Sequence, residues 1–142
     1  MMNLIFTNTS VGDWLLMFTD NVSDIAELEK AFVKLYKYKI DSIQLEKESY
    51  IKSDICLDVK LINQKAGFFS KLFGPDCSSL VPDADVKSHK YHCMLSKEDT
   101  YLCISFLKSL RKSEKPANID LFEGKLSLIV SLKEYDEKGC LR

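Results

Sequence analysis

Two stretches of this chain repeat their apolar residues at helical spacing. In "SDIAELEKAFVKLYKYK" these are Ile25, Leu28, Phe32 and Leu35, and in "SKEDTYLCISFLKSLRKSEK" they are Leu102, Cys103, Phe106 and Leu110. Each stretch opens on a capping signal. Ser23 or Asp24 precedes Glu27 in the first, and Ser96 stands three residues before Asp99 in the second. A helix with one apolar stripe has to bury it against another layer, so whatever surrounds the two helices must supply that layer.

The flanking runs supply strands. "NLIFT" and "WLLMFT" on either side of "NTSVGD" predict a hairpin from Leu4 to Thr19, with a helical turn as the alternative for the second run. In "SDICLDVKLI", Ile55, Leu57, Val59 and Leu61 alternate with Cys56, Asp58 and Lys60. With "DSIQLEKESYIK" this predicts an antiparallel pair turning near Lys52 to Asp54. "HKYHCML" reads as a strand. "NIDLFEGKLSLIVSLKEY" reads as a hairpin about Gly124-Lys125, of type II′, with Leu126, Leu128, Val130 and Leu132 on its buried face. The tail "DEKGCLR" is expected to fray.

The order is therefore β, β, α, β, β, a long loop, β, α, β, β. A β-α-β-β unit occurs twice, from about Trp14 to Ile62 and from about His89 to Tyr135, without a residue-level repeat. The expected fold is a single α+β domain over residues 1–142, a two-layer sandwich with two helices on one side of a mainly antiparallel sheet. A chain of 142 residues with 46% hydrophobic and 29% charged side chains can bury such a core without disulfides or metals. The same composition excludes intrinsic disorder.

Twenty Lys and Arg stand against 21 Asp and Glu, so no global field selects a polyanion or a membrane surface. Cys56, Cys77, Cys93, Cys103 and Cys140 are odd in number and form no CxxC pair, the pattern of reduced thiols in a cytoplasm. No basic leader precedes "NLIF", and no run approaches the ~18 apolar residues of a membrane span. The chain reads as soluble and cytoplasmic.

Chemical motifs are scarce. Cys77, His89, His92 and Cys93 are zinc-type ligands close in sequence, yet on a strand His92 and Cys93 point to opposite faces, so no metal is expected. The two histidines lie in no GxSxG or HExxH context, and a hydrolase using His89 or His92 needs a remote thiol, hydroxyl or carboxylate within reach. The carboxylate pairs Asp83/Asp85 and Glu46/Glu48 read as solvated charge. Gly12, Gly67, Gly74, Gly124 and Gly139 form no phosphate loop, and no cofactor is implied. Lys34, Tyr36, Lys37, Tyr38 and Lys39, with Lys108, Arg111, Lys112 and Lys115, form the only nucleic-acid candidates. Both groups fall at helix C-termini, where cations complement the helix dipole.

The exceptional segment is the connection at about 63–88. At about 25 residues it exceeds the ~12 to 15 of ordinary connections. It also carries "GFFSKLF", with Phe68, Phe69, Leu72 and Phe73. One reading plugs these into the monomer as a satellite cluster. A second leaves them exposed as anchors for a partner protein, with Asp83 and Asp85 as mates for a basic target, and a third, weakened by having only two lysines beside them, lays them on a membrane surface. Together these features point to a non-enzymatic protein-binding module. Small bacterial immunity and antitoxin proteins, which neutralise a toxin by covering its active site, share this size and solubility. The alternatives are a small-molecule binder with an apolar cleft lined by residues such as Trp14, Tyr50 or Tyr91, and an RNA-binding protein.

Overall fold

In the computed structural model, residues 1–62, 77–85 and 88–142 are described. The chain runs β1 (Met2–Thr9), β2 (Gly12–Thr19), α1 (Val22–Tyr36), β3 (Ile43–Gln44), a 3-10 turn (Leu45–Lys47), β4 (Ile51–Ser53) and β5 (Cys56–Leu61). It continues through β6 (Ser79–Pro82), β7 (Lys90–Leu95), α2 (Lys97–Ser113), β8 (Ala117–Phe122) and β9 (Leu126–Leu132). This is the expected α+β sandwich, with two helices among the described residues. Its strands divide between two mixed sheets, a five-stranded one ordered β4-β1-β2-β9-β8 and a four-stranded one ordered β3-β5-β7-β6.

The hairpins β1-β2 and β8-β9 meet through the parallel pair β2-β9, while β3-β5 and β6-β7 meet through the parallel pair β5-β7. Each helix carries the chain from one sheet to the other, so neither half of the sequence builds a sheet of its own. Each helix packs on the other helix and on strands of both sheets. One core results, shared by Leu15, Phe32, Leu57, Cys93, Leu107 and Val130.

Local expectations hold where an apolar stripe is narrow. Ile25, Leu28, Phe32 and Leu35 are all buried, as are Leu126, Leu128, Val130 and Leu132. Ser96 caps α2 by accepting the Asp99 amide at 3.1 Å. The start of α1 differs. Its cap is Asn21 with no side-chain bond, and Asp24 sits in the third helical position, buried, accepting the Thr19 hydroxyl at 2.6 Å. A carboxylate there complements the helix N-terminus.

The expected pair turning near Lys52 to Asp54 is also re-partnered. β5 does pair antiparallel with the earlier run, but through Ile43↔Val59, while Ile51–Ser53 leaves to join β1 in parallel. Residues 79–82, placed by the sequence in the long loop, form β6 at the edge of the four-stranded sheet. The β8-β9 hairpin forms, but Gly124 is not at positive φ, so its turn is not type II′; a bulge at Leu121 takes up the twist instead.

The tail is not frayed. Asp136 Oδ1 accepts the amides of Lys138 and Cys140, each at 2.9 Å, Tyr135 bridges Leu141, and Arg142 clasps Asp20 through two bonds of 2.8 and 2.7 Å. This strap covers the face of the five-stranded sheet opposite the main core, where Leu16, Phe18 and Ile129 are buried. Among the described residues no helix is long and apolar enough to cross a membrane.

Candidate binding groove

The inward stripe expected for α2 is only half right. Cys103 and Leu110 are buried together with Thr100 and Leu107, but Leu102 is 45% exposed and Phe106 41%. At 100° per residue, Leu102, Phe106, Leu110, Cys103 and Leu107 of α2 span an arc of about 140°. The core takes the flank bearing Cys103 and Leu107. Leu102 and Phe106, one helical turn apart, project from the other flank alongside β8.

Strand β8 ends the five-stranded sheet. The Cys103 thiol donates to the Leu121 carbonyl at 3.4 Å and ties helix to strand. Between them lies an open groove of about 550 Å³, with Leu102 and Phe106 on the helix side and Ile119, Leu121 and Phe122 on the strand side. Three carboxylates, Asp99, Asp120 and Glu123, also line it, and among the described residues no basic side chain does. Asp99 is fixed by the Ser78 hydroxyl, which donates to it. Asp120 and Glu123 lie so close that a shared hydrogen bond and the Asp120 charge push the Glu123 carboxyl above the usual carboxylate range.

That repulsion has a measurable consequence. A carboxyl raised on folding stabilises the fold below its unfolded pKa, and the contribution is lost as pH rises through the folded value. At neutral pH the pair therefore strains the hairpin. Asp120→Asn should raise the Tm at pH 7, with the gain shrinking in acid as the Glu123 carboxyl takes up its proton and the repulsion is lost. Thermal scans from pH 3 to 8 read this directly; a gain of equal size at pH 3 would exclude repulsion as its source.

A second polar cluster lies on the four-stranded sheet. Parallel register sets Asp58 of β5 beside His92 of β7, and Nδ1 of His92 is 3.2 Å from the Asp58 carboxylate. Nε2 faces Asp83 at 3.8 Å. Carboxylates thus occupy both sides of the ring, where a nucleophile-base-acid order would need a hydroxyl or thiol on one of them. They also approach opposite nitrogens, so the three groups do not converge on one point. Among the described residues no group of three or more His, Cys, Asp or Glu is placed to hold a metal ion. Cys93 is buried on the other face of β7, its thiol pushed up to about 12 by desolvation, and burial raises Cys103 to about 12 as well. All five cysteines are free.

Of the residues singled out by the sequence, Phe68, Phe69, Leu72 and Phe73 lie outside the described residues. Asp83 follows β6 and faces His92, and the Asp85 carbonyl accepts the Ser88 amide at 3.1 Å and hydroxyl at 2.7 Å. Glu46 accepts the Leu57 amide at 3.1 Å, a structural bond. Trp14, Tyr50 and Tyr91 do not line a common cleft. Trp14 packs in the cluster under the C-terminal strap, whereas Tyr50 and Tyr91 pack on the main core, Tyr91 stacked on Phe6 at 6.2 Å. The ring faces of Tyr36 and Tyr38 are approached by Lys97 at 4.9 and 4.6 Å. Arg111 is paired with Glu29 at 2.8 Å. The groove escaped the sequence reading; its signal was an apolar arc on α2 wider than a single packed face requires.

No family model, curated protein or solved structure matches this chain.

Proposed function

We propose that this protein is a non-enzymatic protein-binding module whose groove between α2 and β8 receives part of a partner protein. In the finer form of the proposal it acts as an immunity or antitoxin-type inhibitor in a bacterial cytoplasm, covering the active site of a toxin. The carrying observation is the exposure of Leu102 and Phe106 beside an edge strand, a pair of large apolar side chains that a monomer gains nothing by presenting to water. Five free cysteines, two of them exposed, agree with a reducing compartment.

The test is co-purification of the tagged full chain from its source cell with mass spectrometry, followed by Phe106→Asp. The variant should keep the native circular dichroism spectrum and lose affinity for the captured partner by roughly 30-fold or more, as a central apolar anchor does. Unchanged affinity in a folded variant would refute the groove. Phe69→Asp and Phe73→Asp in the same assay measure the contribution of the 63–88 segment.

A further inference from the structure

Resting on that protein-binding reading, we infer that the groove takes an extended, alternately apolar and basic segment of the partner, which pairs with β8 as a sixth strand of the five-stranded sheet. Three features of the molecule lead to this occupant. The first is a mismatch between layers. The sheet stops at β8, and α2 leaves Leu102 and Phe106 exposed in the groove beside it; a strand laid along β8 is the element that covers them. Among the described residues no strand pairs with the outer edge of β8, and a free edge offers backbone donors and acceptors to an incoming chain.

The second feature is spacing. Leu102 and Phe106 are separated by about 6 Å of helix rise. Side chains on one face of a strand recur every ~6.6 Å. Successive inward residues of an added strand therefore meet Leu102 and Phe106 in turn. The bulge at Leu121 interrupts the β8-β9 register, so regular pairing is confined to Ala117–Asp120 and the added strand is short, about four residues.

The third feature is charge. Among the described residues the lining holds Asp99, Asp120 and Glu123 and no cation, and the Asp120-Glu123 pair is held in repulsion that a lysine or arginine relieves. An acidic or purely apolar segment leaves that repulsion in place. The partner segment is thus specified as β-forming, with a basic residue near the carboxylate end.

The experiment follows the full chain, labelled with nitrogen-15, during titration with an eight-residue synthetic peptide alternating valine and lysine. Its glutamate counterpart and a lysine peptide N-methylated at alternate backbone nitrogens serve as comparisons. The lysine peptide should shift the amides of Leu102, Phe106 and residues 117–123 and slow hydrogen exchange along β8 at least tenfold. The glutamate peptide, and the lysine peptide on Asp120→Lys/Glu123→Lys, should bind at least tenfold more weakly, and N-methylation should abolish binding. Equal binding of methylated and unmethylated lysine peptides would overturn strand addition while leaving the groove itself as a protein-binding site. Absence of any groove shift with the lysine peptide would also overturn strand addition, and the Phe106→Asp co-purification then decides separately whether the groove binds protein. Groove shifts that follow protein concentration alone would assign the edge to a second copy of this chain and refute a foreign segment.

Discussion

Phe32→Ala is expected to lower the free energy of unfolding by about 3–5 kcal/mol. Among the described residues Phe32 is the largest fully buried side chain, on the face of α1 that enters the shared core with Leu28 and Leu35. Truncation removes the transfer free energy of the ring and leaves a cavity that two helices and two sheets must collapse around. Because each helix packs on strands of both sheets, relaxation in one layer pulls against the other, which places the loss toward the upper part of that range. Urea unfolding of the variant against wild type measures it. Phe6→Ala serves as the contrast, since Phe6 is 42% exposed and stacks on Tyr91. A Phe32→Ala loss no greater than that of Phe6→Ala would mean that the core is not continuous across the two helices.

The difference between those two phenylalanines also shows what a sequence of this kind reveals. Phe32 belongs to a stripe, and period alone assigns it to the core. Periodicity names a face but says nothing of which strand lies opposite it. Hence the alternation of Leu57 and Val59 was readable, whereas the parallel pairing of β5 with β7 was not. That long-range register is what brings Asp58 to His92 across 34 positions. Short elements were lost for a related reason: β4 has three residues and β6 ends on Pro82, too little for any period to emerge. The groove was hidden by the opposite excess. Leu102 and Phe106 fall in an apolar arc wide enough for one core-facing stripe and one more, and only the position of β8 at the sheet edge divides the arc into a buried flank and an exposed one.

The C-terminal strap gives the second large effect, because it covers a sheet face on which no helix packs among the described residues. Tyr135 packs on Phe18 with ring centroids 5.7 Å apart, and Gly139, at φ +79°, brings the backbone against the same ring and Ile5. Tyr135→Ala should destabilise by about 2 kcal/mol, combining partial burial of the ring with the aromatic pair. Arg142→Ala should cost clearly less than Tyr135→Ala, since its pair with Asp20 is open to solvent. The two losses differ in their pH dependence. The Arg142 guanidinium holds the Asp20 carboxyl below its usual range, so this contribution is present above the unfolded pKa and disappears as pH falls through the folded value. The Tyr135 loss carries no such term. Tm measurements at pH 7 and near pH 2.5 should therefore show the Arg142→Ala deficit closing in acid while the Tyr135→Ala deficit persists. A Tyr135→Ala variant as stable as wild type at both pH values would mean that the strap does not hold Leu16, Phe18 and Ile129 out of water.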